Sequence, residues 1–282
     1  MIVLLGGTGF VGIHLQRELA LLGESVVVKG ESDGDFRENV DSSWCAGADG
    51  VIVLAGVTRA ANSRDLIWDN LRIVASVIDA YAQLGTKPPL LFLSSLHVYA
   101  ISPDPLAINS PTSPSRSLYG WVKRACETFL QFHAGCLEFP LWIGRAGNLV
   151  APSPPMNRLS FLHDMRMGLK AGRIVIRSSP KRDLVWIHDL ARGLLFRLKN
   201  GLHRKAVHIE NVCSGRPLSL AELAAAACEI WKASGGSCDV EVKDPDPPDI
   251  MVGAPPVDRV WGSGPTVSEL ARLLAAPDTA LW

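Results

Sequence analysis

The sequence predicts an α/β fold in which a doubly wound parallel sheet is joined to a smaller C-terminal α/β lobe. Apolar, β-branched segments alternate with segments of helical periodicity through the first half of the chain. A glycine-rich turn directly follows the first apolar segment. Because the apolar segments are continuous, both faces of the strands are expected to be buried, which is typical of parallel sheets covered by helices.

The first half has a repeated strand and helix order. We predict strands at 2–5, 25–29, 51–55, 90–94 and 141–144, and helices at 12–22, 69–84 and 119–133. The short segments are rich in valine, isoleucine and leucine, and the longer ones repeat apolar residues at helical spacing. Strands and helices in this order predict a sheet with helices on both faces.

The second half is less regular after the proline-rich segment 151–155. A strand leading into a helix is predicted at 184–198, a strand at 206–209, and a surface loop at 244–256. A helix at 219–231 has Ser219 as N-cap and Glu222 three residues later, which is a capping-box spacing. We expect residues 1–148 to form the larger domain, with 182–212 returning to it, and residues 149–181 and 213–282 to form the smaller lobe.

Composition excludes several classes of protein. Lys plus Arg number 28 and Asp plus Glu number 28, so there is no net field to attract nucleic acid or an anionic membrane. No segment approaches the ~18 apolar residues of a membrane span. The six cysteines form no Cys-x-x-Cys pair, and no cluster has metal-ligand spacing. We therefore expect a soluble cytoplasmic protein without metal, membrane or nucleic-acid partners.

The glycine-rich turn has the spacing of a dinucleotide-binding site. It consists of Gly6, Gly7, Thr8, Gly9, Phe10, Val11 and Gly12. A Gly-x-Gly-x-x-Gly turn between a strand and a helix lets the backbone approach a pyrophosphate, and the helix N-terminus supplies amide donors. The sequence thus predicts a Rossmann-like domain that binds NAD(P).

The end of the second strand bears on the choice between NAD and NADP. A site for NAD usually has an acid there that holds the ribose hydroxyls. Glu31 stands one place late for that role, while Lys29 and Arg37 could face a ribose phosphate. These residues favour NADP(H) slightly over NAD(H).

Tyr119 and Lys123 are four residues apart on one predicted helix, so they share a face. The pKa of a phenol, about 10, has to fall by about 3 for proton transfer near neutrality, and one positive charge about 4 Å away is sufficient at an effective dielectric of ~20. Ser95 ends a buried strand, where ligands bind in such sheets. We predict that these three residues form a catalytic site.

The chain resembles the extended short-chain dehydrogenase/reductase superfamily, and within it the NAD-dependent epimerase/dehydratase family, which acts on nucleotide sugars. The segments that support the resemblance are the glycine turn, 54–56 (Leu-Ala-Gly), 93–99 (Leu-Ser-Ser-Leu-His-Val-Tyr), Tyr119 with Lys123, 145–148 (Arg-Ala-Gly-Asn), 182–189 (Arg-Asp-Leu-Val-Trp-Ile-His-Asp) and 211–215 (Asn-Val-Cys-Ser-Gly). Together they extend over most of the chain.

The resemblance implies roles for individual residues. Tyr119 would be the acid/base, Lys123 would lower its pKa and hold the ribose, and Ser95 would orient the reacting oxygen. Further cofactor contacts would come from Leu54, Ala55, Gly56 and Asn70. Asn148 and Arg182 would bind substrate, with Arg182 on a diphosphate. The resemblance also suggests a homodimer formed through the Tyr119 helix and its neighbour.

Departures from the family pattern limit the types of reaction that are expected. Leu96 and His97 stand where sugar dehydratases have Asp and Glu, so elimination of water is not expected. His97 could be a second acid/base or could line the substrate pocket, and if the strand continues it points to the same side as Ser95. The leading hypothesis is a nucleotide-sugar ketoreductase or C4 epimerase. The alternatives are a reductase of a non-sugar carbonyl and a non-catalytic NAD(P)-binding scaffold or sensor.

Overall fold

The computed structural model describes residues 1–152, 157, 160–176, 181–200, 206–243, 250–256, 258 and 260–276. The strands within these ranges are β1 (Ile2–Leu5), β2 (Val26–Lys29), β3 (Gly50–Val53), β4 (Leu90–Ser95), β5 (Leu141–Ala146), β6 (Asn148–Val150), β7 (Arg173–Ile176), β8 (Lys181–Arg182), β9 (Leu184–Trp186), β10 (Val207–Val212), β11 (Leu218–Ser219), β12 (Asp239–Val242) and β13 (Ile250–Met251). The helices are α1 (Phe10–Leu21), α2 (Ser42–Cys45), α3 (Ser63–Ala82), α4 (Leu118–Leu137), α5 (Phe161–Lys170), α6 (Ile187–Asn200), α7 (Leu220–Ala233) and α8 (Val267–Ala275).

The main sheet has six parallel strands in the order β2-β1-β3-β4-β5-β10. The chain begins at β1, goes to β2 at one edge, and then crosses back over β1 to β3, with Leu5 paired to Lys29 on one side and to Val53 on the other. Such a reversal of strand order opens a crevice at the carboxyl ends of the strands. The predicted doubly wound α/β fold is therefore confirmed.

Helices bury both faces of this sheet. Side chains of β1 alternate between the two cores, with Val3 and Leu5 in one and Ile2 and Leu4 in the other, as the two-residue period of a strand requires. Helices α3 and α4 contribute to the first core, and α1 and α6 contribute to the second. Because both faces are covered, β1 and β3 have no polar side chain, which explains the continuous apolar runs in the sequence.

The link between β2 and β3 is shorter than a full crossover. It contains a short 3-10 helix, Glu31–Asp33, and the single-turn helix α2. Among the described residues, β2 is therefore the edge strand of the main sheet. The crevice beside β2 is bordered by this loop.

Three small sheets accompany the main sheet. Strands β11, β8 and β13 form one, β12 and β7 form another, and β6 and β9 form the third. Helices α5, α7 and α8 share a separate apolar core with them. The surface loop predicted at 244–256 lies only partly within the described residues. In the described part the prediction was wrong, because β13 pairs with β8 and Met251 and Val252 are buried. None of the described helices is long and apolar enough to cross a membrane.

The second half also contains elements that the sequence analysis missed. Helix α8 begins at a capping box in which Thr266 and Glu269 each accept the other's backbone N–H. The Thr-x-x-Glu spacing was a readable signal for this start. Helix α7 begins as predicted, with Ser219 accepting from the backbone of Glu222.

Candidate active site

Two glycines of the turn after β1 are required by the fold itself. Gly6 has a φ of +85°, and a Cβ there would lie 2.4 Å from the backbone nitrogen of Ala55. A Cβ at Gly12 would lie 2.4 Å from Gly7, so α1 can pack this close to the turn only with glycine. These positions bring the start of α1 against the ends of β1 and β3.

Gly9 has a different environment. The nearest atom to a Cβ at this position is the Gly6 carbonyl oxygen at 3.5 Å, so the protein itself leaves room there. Gly9 is the N-cap of α1, and neither a capping side chain nor an acidic residue occupies the first turn. The open backbone and the helix N-terminus together suit the pyrophosphate of a dinucleotide.

A cavity of about 670 Å³ adjoins this turn. Gly6, Thr8 and Gly9 line one part, and the segment 54–57 after β3 lines another. The volume is within the usual range for small-molecule sites. The turn and the cavity therefore fit an NAD(P) dinucleotide, and Leu54, Ala55 and Gly56 line the same cavity.

Charged residues border the outer part of the cavity. Glu31, Asp35 and Arg37 line it, and Arg37 contacts Asp35 with Nη2 2.6 Å from Oδ2. Hydrogen bonds from Arg37 lower the pKa of Asp35 to about 2. Lys29, by contrast, is directed to Asp33, with Nζ 2.9 Å from Oδ1. The structure thus brings Glu31 and Arg37 to the cavity and pairs Lys29 outside it.

Gly30 follows β2 at the position where an acid would hold ribose hydroxyls. A Cβ there would lie 2.3 Å from the methyl group of Thr8, so the Thr8 side chain occupies this space. The backbone N–H of Gly30 donates to Asp33. Glu31 is accordingly the nearest acid along the chain that reaches the cavity.

Asn70 organises the loop after β3. Its Nδ2 donates to the Val57 carbonyl at 2.9 Å, and its Oδ1 accepts from the Val57 N–H at 3.1 Å. The side chain is buried, and a Cβ at Gly56 would approach its Oδ1 to 3.0 Å. Asn70 therefore positions the loop that lines the cavity.

Lys123 extends from α4 toward the same loop. A Cβ at Gly56 would be 3.8 Å from its Nζ, which also lies 4.1 Å from the centroid of the Phe92 ring. Burial lowers the pKa of Lys123 to about 8. The ammonium group is still mainly charged at neutral pH and lies close to Gly56, which lines the cavity.

Tyr119 lies one helical turn before Lys123, near the N-terminus of α4. Burial raises the pKa of Tyr119 to about 12, with a smaller effect from Cys126. This direction is opposite to the expected lowering by Lys123, because removal of the phenol from water dominates its pKa and no lowering by Lys123 offsets it. Without a ligand, Tyr119 is therefore a proton donor at neutral pH.

Ser95 ends β4, and the strand does not continue to His97. Residues Leu96–Val98 form a 3-10 helix in which Ser95 Oγ accepts from the His97 N–H at 3.2 Å. The premise that the strand pleat places both side chains on one side was therefore wrong. The His97 ring nevertheless meets Tyr119 edge-on, with centroids 6.1 Å apart.

His97 is neutral at physiological pH. Burial, and then the charges of Arg116 and Arg182, lower the pKa of His97 to about 4. Its Nδ1 lies 3.2 Å from Ser117 Oγ, the N-cap of α4. The ring can therefore donate or accept a hydrogen bond in the site without carrying charge.

Arg182 and Asn148 lie on two of the small sheets, on β8 and β6 respectively. Asn148 Nδ2 donates to the Asp183 carbonyl at 3.3 Å, next to Arg182 on β8. Asp183 is fully buried and accepts from Ser214 and from Gly215 N–H. Burial raises the pKa of Asp183 to about 6. This carboxyl fixes the strand that holds Arg182.

A buried ion pair lies beneath the proposed catalytic residues. Arg145 Nη2 is 2.8 Å from Glu127 Oε2, and Ser94 Oγ donates to Glu127 Oε1 at 2.6 Å. Glu127 is one turn after Lys123 on α4, while Ser94 directly precedes Ser95 on β4. The pair therefore joins the helix and the strand that supply the site. No metal-binding group of His, Cys, Asp or Glu occurs within the described ranges.

Sequence reasoning missed Arg116. It stands directly before the α4 N-cap and three residues before Tyr119, and it is half-buried. Its position next to a predicted catalytic tyrosine was the available signal. Arg182 is distant in the chain, so the residues next to Arg116 give no sign that the two arginines lie near each other.

Comparisons with known proteins agree with this architecture. The profile of the NAD dependent epimerase/dehydratase family matches residues 2–212. The fold is similar to that of a UDP-galactose 4-epimerase, with 22% identity, 97% of each chain covered and a TM-score of 0.75. It is also similar to RMD from Pseudomonas aeruginosa, solved with NADPH, with 21% identity, 97% of each chain covered and a TM-score of 0.77.

A third similar structure is UDP-glucuronic acid 4-epimerase from Bacillus cereus, with 16% identity, 97% of each chain covered and a TM-score of 0.77. Among curated proteins, none matches significantly. At these identities the likeness shows the fold, over nearly the full length of the chain.

Proposed function

Because the chain belongs to the NAD-dependent epimerase/dehydratase family, we propose that it is an NAD(P)-dependent enzyme that reduces a nucleotide-sugar ketone or epimerises the sugar at C4. NAD(P) is the cofactor typical of this family. The observation that carries the proposal is the position of Lys123: its Nζ would lie 3.8 Å from a Cβ at Gly56, which lines the cavity, and Lys123 is one turn from Tyr119. Two of the similar structures are epimerases of UDP-sugars, which supports a nucleotide sugar as substrate.

The chain's residues move a proton in this mechanism. A bound nicotinamide supplies or accepts hydride at the sugar carbon. Tyr119 donates its phenolic proton to the substrate carbonyl oxygen as charge develops there, and Ser95 Oγ donates a hydrogen bond to the same oxygen. In the reverse direction the tyrosinate takes the hydroxyl proton. Lys123 stabilises that tyrosinate by its positive charge.

The protonation state of Tyr119 suits the step in which a carbonyl is reduced. A phenol with a pKa near 12 is protonated at neutral pH, so it can donate without a preceding step. His97 is neutral, and we propose that it lines the substrate pocket as a hydrogen-bonding group. In the proposed domain division, 149–181 and 213–282 form the substrate lobe, with Asn148 at its border and Arg182 on the diphosphate.

We propose NADP(H) as the preferred cofactor form. Arg37 lines the cavity, and a guanidinium suits a ribose phosphate. The residue directly after β2 is Gly30, so no carboxylate stands there to bind ribose hydroxyls. Glu31 and Asp35 also line the cavity, and their negative charges oppose the binding of a phosphate next to Arg37. The balance among these three charges determines the preference.

We also propose a homodimer formed through α3 and α4. These helices pack side by side, and large apolar side chains on them are exposed: Trp68 on α3 by 53%, and Trp121 and Phe132 on α4 by 50% and 67%. An exposed apolar face of this kind is typical of an interaction surface. Light scattering should give the mass of two chains, and a monomer at micromolar concentration would contradict the proposal.

We also propose a cytoplasmic location. The six free cysteines fit this proposal, because thiols stay reduced in the cytosol.

The reaction is tested by incubating the purified protein with NADPH, NADH or NAD and a panel of UDP-, GDP- and dTDP-sugars, including 4-keto sugars. We expect mass spectrometry and NMR to show either a reduced 4-keto sugar or an inverted C4 centre. Reduction of simple ketones alone would indicate a non-sugar reductase. Failure to convert any sugar or ketone while cofactor binds would favour a scaffold or sensor.

Gly9 and Gly12 form a matched pair for testing the cofactor site. We expect Gly9→Ala to weaken NAD(P) binding at least 10-fold with little change in Tm, because the added methyl group meets the ligand rather than the protein. Gly12→Ala should instead destabilise the fold by about 1–3 kcal/mol, because its methyl group overlaps Gly7. Calorimetric binding and thermal unfolding distinguish the two. Equal affinities for Gly9→Ala and wild type would contradict the pyrophosphate assignment.

A further inference from the structure

The loop before α4 is attached to the short helix that contains His97. The Arg116 N–H donates to the Tyr99 carbonyl at 2.9 Å, and Ser115 Oγ donates to the Val98 carbonyl at 3.1 Å. Ser117 Oγ lies 3.2 Å from His97 Nδ1. Arg116 therefore has a fixed backbone position next to His97 and the proposed catalytic helix.

Strand β8 reaches the same place from the other side. Arg182 pairs in register with Met251 of β13. Met251 is buried in a cluster with Leu96, Val98 and Tyr99, the residues around His97. The hydrogen bonds of one segment and the apolar packing of the other thus bring Arg116 and Arg182 to one short helix, although they are distant in sequence.

The charges of the two arginines act on each other. Both side chains are half-buried. Burial, together with repulsion from Arg116, lowers the pKa of Arg182 to about 10, and both arginines lower the pKa of His97. Like charges held together in a partly desolvated place favour the binding of an anion that neutralises both.

We propose that Arg116 is a second phosphate-binding residue of the substrate site, and that Arg116 and Arg182 together hold the diphosphate of the nucleotide sugar. The inference rests on the proposed function and deepens it. Two guanidinium groups match the two negative charges of a diphosphate and can each bind phosphate oxygens in bidentate fashion. A carboxylate on the sugar, with one charge, matches the arginine pair less well. The contact of His97 with Tyr119 puts the arginine pair on the side of the site where Tyr119 lies.

The test measures binding without turnover. Inorganic pyrophosphate, UDP, GDP and dTDP are titrated by calorimetry into wild type, Arg116→Gln, Arg182→Gln and the double variant. We expect each single variant to bind the tightest probe about 10- to 100-fold more weakly, since each loses a charged hydrogen-bonding partner. The loss in the double variant should differ from the product of the single losses, because both side chains bind one anion.

Controls separate binding from folding. Arg192→Gln removes an exposed arginine on α6 and should bind like wild type. Arg116→Lys retains the charge without the bidentate geometry, so it should bind the probes with an affinity between those of wild type and Arg116→Gln. This variant can still be measured if Arg116→Gln folds poorly.

Several outcomes overturn the inference. If Arg116→Gln and Arg116→Lys bind all four probes within twofold of wild type, Arg116 does not hold the diphosphate, and the proposed function can still stand through turnover. If Arg116→Gln weakens UDP-glucuronic acid but not UDP, Arg116 binds a sugar carboxylate instead. If wild type binds none of the probes yet reduces simple ketones, both the inference and the nucleotide-sugar proposal fail.

Discussion

Tyr119→Phe should reduce turnover by at least about 100-fold while cofactor affinity remains unchanged, because general acid catalysis typically contributes 10²–10⁴-fold. The substitution removes one hydroxyl group from a half-buried ring. The fold loses little, because the ring still packs against His97. The measurement is the initial rate on whichever nucleotide sugar is converted, with cofactor binding measured in parallel.

Tyr81→Phe is the matched control for this variant. It makes the same chemical change on α3, where the Tyr81 hydroxyl is buried without a hydrogen-bond partner among the described residues. We expect its activity to stay within twofold of wild type and its stability to be equal or higher. If Tyr119→Phe retained full turnover, Tyr119 would not be the proton donor and the mechanism would be wrong.

Glu127→Ala should destabilise the protein by about 3–5 kcal/mol, because breaking a buried ion pair leaves an uncompensated charge. Glu127 is fully buried and its partner Arg145 is 4% exposed. Ser94 Oγ would also lose its acceptor. Urea unfolding followed by circular dichroism gives the free energy of unfolding, provided that the transition is two-state.

Two further variants show whether the ion pair itself is responsible. Glu241→Ala removes one member of an exposed pair with Arg173 and should move the unfolding midpoint very little. The double variant Glu127→Leu with Arg145→Met should recover much of the stability lost in Glu127→Ala, because no charge remains buried. A small effect of Glu127→Ala would mean that the pair does not support α4 and β4.

Local sequence patterns were sufficient for the main sheet and the glycine turn. Strand β1 has the predicted bounds, and Gly12 is required by its contact with Gly7 in the same turn. Helix α4 was predicted at 119–133 from apolar residues at helical spacing, and it extends from Leu118 to Leu137. Such features depend on neighbours along the chain, which a single sequence contains.

Other features depend on contacts between distant segments. Arg116 and Arg182 come together only because β13 pairs with β8 and Met251 packs beside Tyr99. The two-residue strands β8 and β11 have no periodic pattern to read. The pKa of Tyr119 also differs from the expectation, because sequence gives the neighbouring lysine but not the depth of burial. Lys29 was named as a residue that could face a ribose phosphate, yet it forms an ion pair with Asp33, four residues later in the chain.

The most direct test of the account is calorimetric titration of the purified protein with NADPH, NADH, NADP and NAD, together with mass spectrometry of any retained cofactor. We expect saturable binding at one site per chain, with NADPH bound more tightly than NADH. Tightly retained NAD would favour a C4 epimerase that recycles its cofactor and would overturn the NADP(H) preference. If none of the four forms binds, the cavity beside Gly9 does not hold a dinucleotide and the proposed enzyme mechanism is contradicted.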